Sequence, residues 1–484
     1  MSDAPVNAPA ASTDGPEPSV FADYLTRTRW FAGKGRPLEI GTVRVIGEVP
    51  CRVEDSPAVV VHLVEVRYAD EEGGTELYQV PLAFYEHPEG RLDHAFVGWW
   101  EDPERGWVHA YDALHDREAM ACWLRALHEA ASREPGQDTE GALRFRRLPG
   151  HELDLTTHST LFAGQQSNSS VAYGEDAIMK VFRKVTPGVN PDIEIHEVLT
   201  GAESTHIADL YGWVEAEVDL GDGPQTLHLA MLQRFLRTAT DGWDLALASV
   251  RNLLAEPEVH ASSSGGDFAA EAARLGEALA EVHHDLATHF PTTTTSARAI
   301  ADAMRGRLEA AVIAVPELGP HAAALRAIFA QVAALGEIEV QRIHGDLHLG
   351  QTLRTSLGWK FVDFEGEPAK ALAERALPDS RWRDVAGMLR SFDYAPHAVL
   401  HQQPDLEPDV ITEHEALLAQ RVEEWAHRAR NHFLVAYGGD LDAEQRLLLD
   451  AYVADKAVYE TVYEARNRPT WIDIPLAAVA RIGA

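Results

Sequence analysis

The chain has few cysteines, little positive charge and no long apolar run among its 484 residues. Its two cysteines, Cys51 and Cys122, form neither a metal-ligand spacing nor a disulfide framework, so a reducing cytoplasm is the simplest compartment. With 45% hydrophobic residues and no stretch approaching a bilayer span, the composition is that of a soluble globular protein. Only 42 Lys and Arg stand against 76 Asp and Glu, a formal charge of −34. Such a surface repels phosphate backbones and anionic lipids, which excludes nucleic acid and membrane as expected partners. Met1 to Ser19 has no basic and no apolar signal-peptide region and reads as a disordered, Ala/Pro/Ser/Asp-rich tail. A Walker A loop is also missing. Gly33-Lys34-Gly35 has neither the spacing nor the following Ser or Thr.

The length predicts two or three domains. Val43 to Ile46, Val59 to Tyr68 and Glu76 to Leu82 read as strands, divided by turn formers. Phe96 to Trp100 and Trp107 to Ala110 extend the β-rich region, and a helix is expected from Arg117 to Ala131. A polar linker, Ser132 to Gly141, follows. Leu161 to Val171 and Ala177 to Phe182 read as strand, tight turn, strand, and Asn190-Pro191 opens a helix as cap and first residue. After a strand from Thr226 to Phe235 the pattern turns helical. Phe268 to Ala287, Ala297 to Val315, Ala322 to Leu335, Ile411 to Tyr437 and Asp442 to Arg468 carry apolar residues at helical spacing. Asp442 and Gln445 stand in a capping-box relation. A β-rich half before a helical half predicts a bilobal enzyme with a cleft.

The richest stretch is His344-Gly345-Asp346-Leu347-His348-Leu349-Gly350-Gln351, followed twelve residues later by Asp363 at the end of an apolar run. Phosphoryl transfer asks for an in-line hydroxyl, a base to take its proton, and cations to absorb charge on the triphosphate. Asp346 fits the base, and Gln351 and Asp363 supply the hard oxygen ligands that Mg²⁺ prefers. His344 is expected to orient the loop. Upstream, Lys180 sits in a strand after a turn of small polar residues that includes Gln166, Ser167, Asn168 and Ser169, suited to binding ATP phosphates. Lys180 would pair with a carboxylate of the Asn190-capped helix, Glu194 or Glu197, with Glu194 preferred. Gln233 and Phe235, at the end of the last strand before the helical half, are placed like an interlobe hinge that would hold adenine. Asp384 opens a helix, as its N-cap, and would also steady the catalytic loop.

These stretches resemble actinobacterial maltokinases, relatives of the aminoglycoside phosphotransferases within the protein-kinase-like superfamily. The similarity rests on His344 to Gln351, Val362-Asp-Phe-Glu-Gly-Glu-Pro368, Arg383 to Tyr394, Gln166 to Ser170, Asn190-Pro-Asp192, Asp241-Gly-Trp243 and Arg29-Trp-Phe-Ala-Gly33. The resemblance implies an α+β, bilobal protein-kinase-like fold with a β-rich N-terminal cap subdomain and a mainly helical C-lobe. The expected divisions are a tail over 1–20, the cap over 21–95, the rest of the N-lobe over 96–236 and the C-lobe over 237–484. It also implies ATP- and Mg²⁺-dependent phosphorylation of maltose at the anomeric hydroxyl. The product would feed α-glucan synthesis from trehalose-derived maltose, with trehalose synthase as a possible partner. For the sugar, the set is His348, Asp384, Lys456, Tyr459, Glu460 and Tyr463; Lys456, Glu460 and Tyr463 recur at helical spacing. A kinase of another sugar, such as glucosamine, is the rival reading, with Glu460 or Asp393 near its ammonium. A catalytically silent nucleotide-binding partner of trehalose synthase is the reading from another class.

Overall fold

The computed structural model describes residues 16–51, 56–70, 73–130, 143–162, 168–221, 223–368, 370–402 and 413–482. It divides into two compact units, Met1–Glu194 with Asp209–Arg237, and Ile195–Ala208 with Thr238–Ala484. The expected linker, Ser132 to Gly141, lies outside the described residues.

Unit 1 begins with helix α1 (Pro18–Arg27), so Pro18, Ser19 and Val20 belong to a helix and not to the tail. Five strands follow: β1 (Leu38–Glu48), β2 (Ala58–Tyr68), β3 (Thr75–Tyr85), β4 (Phe96–Asp102) and β5 (Gly106–Asp112). They form one antiparallel sheet in the order β1-β2-β3-β5-β4. The unbroken apolar text of β2 has a simple cause. Val59, Val61 and Leu63 join one core while Val60, Val64 and Val66 join another, so both faces of the strand are covered. Helix α2 (Arg117–Ala130) buries Trp123 and Leu127 in the first of these cores.

The second sheet of unit 1 holds β6 (Leu143–Arg147), β7 (Ser159–Leu161), β8 (Ser169–Tyr173), β9 (Ala177–Val181), β11 (Leu210–Asp219) and β12 (Pro224–Arg234), in the order β6-β11-β12-β9-β8-β7. The short β10 (Lys184–Val185) pairs instead with β3. Gln79 of β3 ties the two sheets, donating its amide to the Phe182 carbonyl at 2.6 Å. The Asn190 side chain accepts from Asp192 N at 2.8 Å and caps helix α3 (Pro191–Gly201) as its sequence predicts. One expectation is corrected here. Cys51 and Cys122, 71 residues apart, are bonded to each other, because α2 lays Cys122 against the chain that leaves β1.

Unit 2 is mainly helical. It contains β13 (Thr240–Asp241), α4 (Gly242–Ala255), α5 (Ala269–His289), β14 (Thr293–Ser296), α6 (Ala297–Ala314), α7 (Ala322–Val332), β15 (Glu337–Val340), β16 (Thr352–Thr355), β17 (Gly358–Phe361), α8 (Leu372–Arg375), α9 (Trp382–Leu400), α10 (Glu413–Gly438), α11 (Ala443–Asn467) and α12 (Asp473–Ile482). A core built on Leu275, Leu279, Trp359, Phe392, Trp425 and Phe433 holds α4, α5, α9 and α10 around the small β13-β16-β17 sheet. Burying a side chain of that size contributes roughly 1.5–3 kcal/mol each. The capping box of α11 is formed in full: Gln445 N donates to Asp442 at 2.8 Å, and Asp442 N donates to the Gln445 amide oxygen at 3.1 Å. Among the described residues, no helix is long and apolar enough to cross a membrane.

Candidate active site

The segment from Ile343 to Gly350 crosses unit 2 between β15 and β16, and its shape is imposed by a carboxylate from below. Asp384, in the first turn of α9 and fully buried, accepts from His344 N at 2.8 Å and Gly345 N at 2.9 Å. His283 of α5 meets the same carboxylate at 3.1 Å, and the Tyr437 hydroxyl holds that ring at 2.8 Å. Burial works to raise the Asp384 pKa, but the hydrogen bond and charge of His283, the charge of His344 and the Gly345 N–H outweigh it, leaving it below the ordinary value. His344 in turn meets the Val362 carbonyl at 2.9 Å, tying the loop to the segment that follows β17 and carries Asp363.

Two glycines make this path possible. Gly345 has φ +87° and lies against Gly366, so a Cβ there would sit 3.2 Å from backbone. Gly387 of α9 lets the Leu347 carbonyl approach; a Cβ would stand 2.3 Å from that oxygen. The loop therefore rests directly on the α9 backbone.

Above this support, Asp346 reaches a cavity of about 860 Å³. Lys456 of α11 places its ammonium 3.3 Å from Asp346 and 4.0 Å from Glu367. Burial lowers the Lys456 pKa, yet Asp346, Glu460 and Glu367 together hold it above the usual lysine value, so the group is charged at neutral pH. The His348 imidazole is pushed down by burial, against the pull of Asp346, and its Nδ1 accepts from Gly350 N at 3.0 Å. Gln351 donates to the Asp363 carboxylate at 3.1 Å, so the amide and the carboxylate lie side by side. Asp363 itself adopts φ +67°, an uncommon conformation for a non-glycine residue.

The aromatic walls of the cavity come from distant parts of unit 2: Trp243 of α4, Tyr394 of α9, Tyr459 and Tyr463 of α11, and Trp471 beyond it. Several acids in the region are already committed, among them Glu464, which takes Arg468 at 2.6 Å. Glu460 takes Arg390 at 2.7 Å, and Asp393 is held by Arg390, Arg430 and Arg481. Asp241, whose carboxyl burial raises, and Asp244 also face the cavity.

In unit 1, Lys180 Nζ meets Asp192 Oδ2 at 2.8 Å. Asp192 stands two positions before the expected Glu194 on the same helix. β8 and β9 pair Ser170 with Lys180 and Ser169 with Val181. Directly opposed residues share a face, so Ser170 lies on the Lys180 side and Ser169 on the other. The Ser169 hydroxyl instead accepts from Arg183 at 2.8 Å, which corrects its assignment to the phosphate face.

Comparison with known proteins now adds to this geometry. Residues 24–116 match the maltokinase N-terminal cap domain. The chain is 31% identical over 328 residues to the glucosamine kinase of Streptacidiphilus jiangxiensis, covering 64% of this chain and 70% of that protein. It is 28% identical over 326 residues to the glucosamine kinase of Mycolicibacterium smegmatis, covering 65% and 77%. The chain belongs to this family of maltokinase- and glucosamine kinase-type proteins. A solved glucosamine kinase, in complex with glucosamine, ADP and inorganic phosphate, superposes with a TM-score of 0.64 at 23% identity, over 96% of this chain and 99% of that one. That likeness shows the fold: α+β, with a β-rich cap and a mainly helical second unit. The chain is accordingly a kinase-type sugar phosphotransferase.

Unit 2 brings Asp346, His348, Lys456, Tyr459, Glu460 and Tyr463 to one cavity. Asp384 is the exception: it lies beneath the loop, hydrogen-bonded to backbone, and does not line the cavity. Nor does it cap α9, which starts two residues earlier at Trp382. Gln166 and Ser167 lie outside the described residues, while Asn168 lines a cavity on the Ser169 side. In unit 1, Gln233 pairs with Ile178 across β12 and β9, and Phe235 N donates to the Asp176 carbonyl at 2.7 Å. Sequence reasoning had not placed Trp243 or Tyr394 at the site, although both stand in motifs it had singled out.

Proposed function

We propose that this protein transfers the terminal phosphoryl group of ATP to the anomeric hydroxyl of maltose, giving maltose 1-phosphate and ADP. The observation that carries the reading is Asp346 opening onto an aromatic-walled cavity of about 860 Å³, with Lys456 3.3 Å away. Asp346 accepts the proton of the attacking hydroxyl. Lys456 keeps that carboxylate in place and hydrogen-bonds the sugar beside it. Tyr459, Tyr463, Trp243 and Trp471 line this cavity and offer flat apolar faces to a sugar. Lys180, held by Asp192, neutralises phosphate charge, and backbone groups around Gln233 and Phe235 hold adenine. The solved relative's ADP supports a nucleotide as co-substrate.

Gln351 and Asp363 fit a hard cation, since each carries an oxygen donor and the two side chains are in contact, with the Gln351 amide nitrogen donating to the Asp363 carboxylate at 3.1 Å. Mg²⁺ bound by them would absorb charge developing on the triphosphate. The placing of maltose 1-phosphate in α-glucan synthesis, a trehalose synthase partner and a cytoplasmic site belong to the same proposal.

A second reading, glucosamine as acceptor, is favoured by the names of both relatives. Its ammonium needs an uncommitted carboxylate. Glu460 and Asp393 are engaged by arginines, Glu464 by Arg468, Glu367 by Lys456 and Asp241 by the backbone N–H groups of Trp243 and Asp244, which leaves Asp244 as the cavity acid to serve it. ADP release with maltose, glucosamine, glucose and kanamycin separates the readings. Turnover on maltose that collapses in Asp346→Asn is expected; turnover on glucosamine alone overturns the substrate, and none on any sugar favours a silent binding partner.

A further inference from the structure

The basic aromatic patch Arg29-Trp30 lies outside the residues given a role in phosphotransfer above and borders a cavity of about 580 Å³ within unit 1. Its walls come from α1 and the residues after it (Arg27, Arg29, Trp30), from the turn over Gly90–Ala95 (His94), from His115, and from the far side of the β8–β9 hairpin (Ser169, Arg183). This is the face of the hairpin that points away from Lys180, because Ser169 pairs with Val181 and not with Lys180.

The charge here runs against that of the chain. A protein with 76 acidic and 42 basic residues lines this cavity with three arginines, two histidines and one carboxylate, Asp112. That carboxylate is already saturated: it accepts from Arg183 at 2.7 Å, from the Tyr24 hydroxyl and from Leu114 N at 3.1 Å. Arg29 is exposed and makes no ion pair among the described residues.

Arg183 is the residue that turns a patch into a site. It is only 1% exposed, and its guanidinium lies 4.5 Å over the Trp30 ring. Its Nε is satisfied by Ser169 and its Nη2 by Asp112, but Nη1 is buried with no hydrogen-bond partner. An unmet guanidinium donor in a protein interior is costly and calls for an acceptor. Two fixed contacts lock the fork so that this donor is preorganised, the arrangement by which arginine recognises phosphoryl oxygens.

We propose that this cavity is a binding site for a small phosphorylated metabolite, its phosphoryl dianion held by Arg183 with Arg27 and Arg29 and its body packed on Trp30 and Phe162. The site is separate from the sugar cavity of unit 2, whose lining residues it does not share. Isothermal titration of the full chain with inorganic phosphate and, separately, glucose 6-phosphate tests it. The variants are Arg29→Glu, at an exposed position whose change spares the core, and Lys456→Met, which disables phosphate-sugar binding in unit 2. Circular dichroism melting confirms that each variant is folded. The expected result is binding of at least one probe that Lys456→Met retains and Arg29→Glu weakens at least tenfold. Preference for glucose 6-phosphate identifies a sugar phosphate; equal binding identifies free phosphate as the source. Absence of binding by both probes, binding unchanged by Arg29→Glu, or binding lost in Lys456→Met overturns the proposal.

Discussion

Replacing Asp384 with Asn is the sharpest test of how the loop carrying Asp346 is held. The native carboxylate accepts from His344 N, Gly345 N and His283 at 2.8, 2.9 and 3.1 Å, in a fully buried position. Asparagine offers one acceptor oxygen, and its amide group turns two donors toward the remaining N–H. One buried donor left unmet costs about 1–3 kcal/mol, and loss of charge assistance on the others adds about 1. The expected penalty is therefore about 2–4 kcal/mol, felt first by the loop and α9. Because the chain has two units, a single unfolding midpoint would blur the effect. Hydrogen exchange of peptides covering 341–350 and 382–390 reads it locally and should rise roughly 30- to 1,000-fold, while peptides over 58–85 stay unchanged. A loop displaced by about 1 Å would also lower kcat by about 100-fold. The sign with pH follows from the depressed native pKa: the stabilisation is complete above the ordinary carboxylate range and disappears as pH falls through the lowered value. Unchanged protection together with a kcat within twofold of the parent would refute the reasoning.

Gly387→Ala places a Cβ 2.3 Å from the Leu347 carbonyl, so about 1–3 kcal/mol of overpacking and a large fall in kcat are expected in melting and steady-state assays; a parent-like enzyme would mean the loop stands clear of α9. Burial pushes the His62 imidazole down to about 4, so unit 1 has its full contribution above pH 6.5 and loses it as pH falls toward 4, by roughly 2 kcal/mol at pH 5. His62→Phe should remove that pH dependence; an unaltered acid limb in denaturant titrations would count against it. Cys51 and Cys122 should resist alkylation in denaturant without reductant, and Cys51→Ser should destabilise unit 1 by about 4 kcal/mol, whereas labelling of both thiols would deny the bond.

What the sequence made legible was local. Helical spacing located α5, α6, α7, α10 and α11 to within a few residues, and Asp442 with Gln445 marked the start of α11 by an interaction that spans only one turn. The contact between Gln351 and Asp363 is close in sequence for the same reason, since only the strand pair β16–β17 separates the two residues. The misses came from partners chosen across the fold. Ser169 and Ser170 are adjacent and chemically alike, and only the register against β9 decides which one shares the face of Lys180. Asp192 as a partner of Lys180, and Trp243 and Tyr394 as walls of the cavity, depend on how separate elements pack. Strand β11 was missed although it opens on Leu210-Tyr211-Gly212-Trp213-Val214; Gly212 interrupts that run and Glu215 and Glu217 break the apolar text of its second half. The cysteine bond joins positions 71 residues apart, and spacing alone says nothing about such a pair.

Phosphorus NMR of the product formed from ATP, Mg²⁺ and maltose bears most directly on the central claim. Beside the resonances of ADP, one phosphomonoester resonance split by the anomeric proton of a sugar 1-phosphate is predicted for the parent chain. In Asp346→Asn its rate of appearance should drop by about 100- to 10,000-fold, the range for removing a general base. A phosphate on any other hydroxyl, or an unimpaired rate in the variant, would contradict the account.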